Sequence, residues 1–157
     1  MVPALQLSLR AAVAAILAFG VAQLLHLPHP VYALISAIIV TDLQAVETRR
    51  LAVPRLIGTL IGSLFGAAMN SVLPPSLWVL GVGIMISMFV TQLIALPATG
   101  KVAGFVCAII LLDHGDAPWT YALYRMIETA LGIGAAMCVS VVPKLMQPKE
   151  DEPAPGA

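Results

Sequence analysis

A chain of 157 residues, 60 % of them hydrophobic and 10 % charged, with zero net charge and a mean hydropathy of +0.97, is not built for water. An average soluble domain carries about 25 % charged residues. The composition therefore excludes an ordinary soluble enzyme and leaves no basic surface for a nucleic acid. Several apolar runs of around twenty residues match a hydrocarbon core about 30 Å thick. They are continuous rather than alternating, which favours helices over a barrel. An all-α membrane protein is expected. Cys107 and Cys138 lie inside such runs and read as small hydrophobes, not as a disulfide or a metal site.

The first span is expected over about Pro3 to Leu25. It is long, lacks a small-x-small cleavage site and leads into further spans, so it reads as a membrane helix and not a signal peptide. Leu27-Pro-His-Pro30 breaks it, because proline cannot continue a helix but can begin one. A second, short run covers Val31 to about Val40 and ends at Thr41 and Asp42. A polar stretch with Glu47, Arg49 and Arg50 follows, then a third span over about Leu51 to Val72. Pro74-Pro75 is a turn. The fourth span is expected over about Ser76 to Leu96, the fifth, short again, over about Val102 to Leu112, and the sixth over about Trp119 to Val142. The tail, 143–157, is Pro-rich and charged and is expected to be a disordered cytoplasmic segment.

Lysine and arginine fix an expected orientation. With the N-terminus inside, the inner segments hold Arg49, Arg50, Lys101, Lys144 and Lys149, whereas the outer breaks carry neither residue. Both termini are then cytoplasmic. Trp78 and Trp119 open their spans on the outer side, where indoles anchor.

The chain also repeats itself. On the third span Arg55, Thr59, Gly62 and Gly66 share a helical stripe beside Gly58. On the sixth the stripe returns as Arg125, Thr129, Gly132 and Ala136, with Glu128 in the place of Gly58. Val21-Ala-Gln-Leu-Leu-His-Leu-Pro28 is echoed by Val90-Thr-Gln-Leu-Ile-Ala-Leu-Pro97, with five identities in eight. The expectation is one six-helix transmembrane domain over 1–142, made of repeats at about 3–73 and 76–142. Three spans per repeat put the second copy into the membrane from the opposite side, so the repeats are expected to be inverted, as in many secondary transporters.

Short second and fifth helices in matching places point to a central site; the other reading is that Thr41 onwards simply prolongs the helix. Arg55 and Arg125 either snorkel to headgroups or line a cavity. Their shared stripe of Thr and small residues, a face that turns away from lipid, speaks for the cavity. Two guanidinium groups there would prefer an anion and would hold a carboxylate bidentately. Thr59, Thr129, Tyr32 and Asp42 are further candidate substrate residues. Glu128, three residues after Arg125, is either its local ion-pair partner or a proton carrier. Gly58, Gly62, Gly66 and Gly132 let another helix approach closely. His26, His29 and His114 lack metal-ligand spacing. Nothing in the chain suggests an enzyme, a cofactor or a metal.

Tyr32-Ala33 after the Leu-Pro break, Thr48-Arg-Arg50 and Arg55-Leu-Ile-Gly-Thr-Leu-Ile-Gly-Ser-Leu-Phe-Gly66 together resemble the fusaric acid resistance and aromatic acid exporter superfamily, to which aluminium-activated malate channels are distantly related. The resemblance covers the whole membrane part. It implies six membrane helices and export of aromatic carboxylates or related amphipathic compounds across the inner (plasma) membrane, with Arg55, Gly58, Thr59 and Gly62 as motif positions. Only Arg125, Thr129 and Gly132 repeat the motif in the second half. Tyr32 stands where the family often has Trp. Larger members carry a second membrane domain or a cytoplasmic domain, so a lone six-helix unit is expected to act as a homodimer or with a partner subunit in the bilayer. Two other readings remain: a dimeric passive anion channel, and a non-transporting membrane subunit of a larger assembly.

Overall fold

The computed structural model describes residues 2–74, 76–94, 97–113 and 117–141. Among these residues there are six helices, α1 (Val2–Leu24), α2 (Val31–Val40), α3 (Ala45–Val72), α4 (Leu77–Leu93), α5 (Pro97–Leu112) and α6 (Pro118–Val141). Three of them, α1, α3 and α6, are long and apolar enough to cross a membrane, while α2, α4 and α5 are shorter apolar helices. The tail from residue 142, His114 and Pro75 lie outside the described residues.

The interior contains the smaller side chains and the exterior the larger ones. Ala14, Ala18, Ala22, Ala33 and Ala37 form one buried cluster, and Ser36, Thr48, Thr59, Ser63, Ser87 and Thr91 are buried as well. Leu5, Ile16, Leu24, Met85, Phe89 and Leu123 all face outward, more than half exposed. Water would drive those large apolar groups inside; lipid does not, and helices in lipid associate through small and hydroxyl-bearing faces instead.

Two helices depart from expectation. The fifth was expected to begin at about Val102, but α5 starts at Pro97 and has 16 residues. Pro97 is its first helical residue, a position that needs no N–H, so the proline starts this helix and does not merely break the chain. The third was expected from about Leu51, but α3 starts at Ala45 and runs through Pro54 for 28 residues. By contrast α2 does stop after 10 residues, and Thr41 is extended. The α1–α2 turn is closed by His26 at φ 52°, with Leu27 N–H on the Ala22 carbonyl and His26 N–H on that of Gln23, a Schellman ending.

The short α2–α3 connection is tied down by side chains. Arg10 of α1 donates to the Leu43 carbonyl (2.6 Å), Asp42 N–H donates to Thr48 Oγ1 (3.1 Å), and Gln44 N–H donates to Asp42 Oδ1 (3.2 Å). Irregular backbone at membrane depth is tolerated where protein satisfies it in this way.

The packing pattern has a symmetry of its own. The second helix of each half lies against the third helix of the other: α2 on α6, and α5 on α3. α1 packs on α2 and α6, and α4 on α5 and α3, while α3 and α6 pack on each other. Exchanging α1 with α4, α2 with α5 and α3 with α6 leaves the set of touching pairs unchanged. The match extends to single residues. A Cβ on Gly62 would meet the Ala103 carbonyl and Val106 Cβ (2.9 Å), and one on Gly132 would meet the Ala33 carbonyl and Ser36 Cβ (2.8 Å). A shift of 70 positions carries one set onto the other. Gly58 and Gly66 extend the α3 seam along α5, against Val102 and Ile110.

Candidate functional site

The site lies where α3 and α6 cross beside α2. Ala52 near the start of α3 shares a cluster with Ile133 and Ala136 late in α6, whereas Ala67 late in α3 shares one with Ala122 early in α6. The two helices are therefore antiparallel. At their crossing Thr59 Oγ1 lies 3.5 Å from Thr129 Oγ1. Thr59 also donates to the Arg55 carbonyl (2.9 Å).

Arg55 and Arg125 converge on α2 from different helices. The Arg125 Cζ stands 3.0 Å from the centroid of the Tyr32 ring, a cation–π stack. One turn further along α2, Ser36 Oγ accepts from Arg55 Nε (3.4 Å) and Nη2 (3.3 Å). Both guanidinium groups are buried, so neither arginine is a snorkelling side chain at the surface. Arg125 Nε and Nη2 have no hydrogen-bond partner.

Glu128 is fully buried, and no ion pair joins it to Arg125: among the described residues the ion pair is Arg50–Glu47, on the exposed start of α3. Glu128 Oε1 instead accepts from the His29 backbone N–H (2.9 Å), just ahead of α2, and Oε2 has no partner. Tyr121, one turn before Arg125, completes the cluster. Its hydroxyl donates to the Tyr32 hydroxyl (3.3 Å), and its ring meets that of His29 edge-on at 4.9 Å.

Asp42 is not gathered here. It sits at the far end of α2, its carboxylate engaged in the α2–α3 connection. Asp113 is exposed, just past the end of α5. Tyr121 and Ser36 were missed from the sequence, although each stands four residues from a candidate, Arg125 and Tyr32 respectively, at the spacing of helix neighbours. His29, read as a loop residue, enters through its backbone N–H.

The two halves differ at this point. On α5, the positions matching Tyr32 and Ser36 are Val102 and Val106, and on α3 the position matching Glu128 is Gly58. A Cβ at Gly58 would come within 2.6 Å of Val102 Cβ and 2.9 Å of the Thr99 carbonyl. The α3–α5 contact is thus a closed apolar seam. The matching α2–α6 contact holds a carboxylate, a guanidinium and two phenols. Among the described residues no group of His, Cys, Asp and Glu has a metal-binding arrangement.

A small-residue helical bundle with buried cations and aromatic rings at its crossing defines a helical membrane protein with a buried polar cluster. The chain belongs to the family described as fusaric acid resistance protein-like, which it matches over residues 17–139. That places it among membrane transporters of the resistance type, not in an enzyme family. No curated protein and no solved structure gives a match.

Proposed function

We propose that this chain exports organic anions, aromatic carboxylates foremost, from the cytoplasm across the inner membrane along a path between α2, α3 and α6. One observation supports this above all: a buried guanidinium, that of Arg125, stacks on a tyrosine ring while two of its N–H-bearing nitrogens lack partners. A cation held in a bundle without a carboxylate within 4 Å is costly. A carboxylate reaching Arg125 would relieve that cost, with Tyr32 and Tyr121 flanking its ring. Arg55, one turn deeper along α2, extends the positive path past the Thr59–Thr129 crossing. Glu128, with one free oxygen and the other on the N–H ahead of α2, is the proton-coupling group: protonation weakens its hold on the start of α2. The halves act as inverted repeats, with both termini cytoplasmic.

The test uses purified protein in liposomes with equal benzoate inside and outside, then given a proton gradient. Net benzoate efflux beyond that of protein-free liposomes, building a gradient outward, is expected, to be lost in Arg125→Gln. Glu128→Gln is expected to keep downhill exchange and lose its dependence on the proton gradient. Undiminished efflux by Arg125→Gln would refute the site. Conductance that follows voltage alone in the unaltered protein would replace the exporter with an anion channel.

A further inference from the structure

Hydroxyl side chains in these helices mostly turn back on their own backbone. Ser8, Thr41, Thr59, Ser71, Ser87, Thr91 and Ser140 each donate to a carbonyl three or four residues earlier. Ser63 does not. It is 3 % exposed, and its Oγ has no hydrogen-bond partner. A hydroxyl in a helix can bond a carbonyl of the preceding turn, so a buried one left unpaired, as Thr99 near the start of α5 also is, needs an account.

Its place in the register supplies that account. Ser63 lies one turn after Thr59 on α3, and Arg125 lies one turn before Thr129 on α6. The helices are antiparallel and the two threonine hydroxyls nearly touch at 3.5 Å. One turn along each helix from that crossing, in the same direction through the bundle, stand Ser63 and Arg125. They are bracketed on the far side by Ala67 and Ala122, which again share a cluster. Ser63 and Arg125 are therefore level in the register of the two helices, and Ser63 Oγ, Arg125 Nε and Arg125 Nη2 are all buried and all unpartnered. The matching pair in the other half differs: Arg55 is already bonded to Ser36, and the position matching Ser63 is Ile133.

We infer that Ser63 is a specificity-determining residue of the anion site: its hydroxyl donates to one oxygen of the carboxylate whose other oxygen takes the Arg125 N–H groups, so that the head group is gripped from α3 and α6 together. This rests on the reading of Arg125 as the anion-binding group. Three donors on two helices fit a carboxylate, which has about four lone-pair sites for them. A neutral carboxamide, with a single acceptor oxygen, would leave a donor unpaired.

The test measures benzoate transport by reconstituted protein and, in detergent, the thermal shift given by benzoate and by benzamide. Ser63→Ala is expected to raise KM about tenfold, the scale of one hydrogen bond to a charged group, with kcat unchanged. It is also expected to melt higher than the parent without ligand, because an unpaired buried hydroxyl has been removed. Ser63→Thr and Ser63→Val form an isosteric pair, and the first is expected to bind benzoate about tenfold tighter than the second. Benzamide is expected to give the same small shift with all of them. Equal benzoate affinities in the Thr and Val variants, with Arg125→Gln inactive, would overturn the role of Ser63 and leave the site standing. Arg125→Gln equal to the parent would overturn the site and Ser63 with it.

Discussion

Tyr32 holds the Arg125 guanidinium by its ring and Tyr121 by its hydroxyl, and these two contacts are separable by mutation. Tyr32→Phe keeps the ring and is expected to change benzoate KM by no more than about fivefold, since a neutral hydroxyl pair contributes only about 1 kcal/mol. Tyr32→Leu removes the quadrupole that faces the cation, a loss of about 2 kcal/mol for a desolvated pair, and is expected to raise KM by an order of magnitude or more. Initial rates at varied benzoate concentration distinguish them; equal KM values would remove the stack from the mechanism. At this scale the sequence was partly legible. Arg55, Arg125, Thr59 and Thr129 stand out because a charged or hydroxyl residue in an apolar run has few explanations. Ser36 and Ser63 do not stand out, since a serine in a membrane helix is ordinarily satisfied by its own backbone, and only packing shows which one has been turned away from it.

On the scale of a helix, the same glycine motif does two different jobs. On α3 it closes a seam with α5; on α6 a single member of it, Gly132, seats α2, and Glu128 has replaced the glycine that would have closed the rest. Spacing alone revealed the motif but not its partners, because small-xxx-small faces specify close approach and not what approaches. Gly132 and Gly134, two residues apart on α6, give a matched test. A Cβ at Gly132 would press on the Ala33 carbonyl, while one at Gly134 has nothing within 4 Å. Gly132→Ala is expected to cost about 1–3 kcal/mol through overpacking. Gly134→Ala is expected to gain about 0.5–1 kcal/mol from helix propensity. Thermal melts in detergent read both; a shared sign would mean that the α2–α6 seam does not bear stability. The start of α5 was misread for a related reason, since Leu-Pro after a span reads equally as a break or as the first turn of the next helix.

The whole chain must also reach from one face of the bilayer to the other, and α2 is the weak link. Its 10 residues rise only about 15 Å, half of a core about 30 Å thick. Residues 41–44, extended at Thr41 and Gln44 but bent at 43 and 44, add at most about 13 Å at strand-like rise, and their backbone is satisfied by Arg10, Thr48 and Asp42. Helix and connection together reach further than the helix alone. α3, with 28 residues, rises about 42 Å and crosses with a turn or more to spare. If each half crosses three times, Gln44 and Lys101 lie on the inner face and Leu73 and Asp113 on the outer; all four are exposed. The exposed Cys138 is first replaced by alanine, while Cys107 is buried and silent. Single cysteines at 73 and 113 are then expected to react with an impermeant maleimide from outside intact cells. Those at 44 and 101 are expected to react only after the membrane is opened. Leu73 and Asp113 reporting opposite faces would mean that α4 and α5 do not make two crossings. The exchange of contacts between halves would then be a symmetry of packing alone, unrelated to the membrane plane.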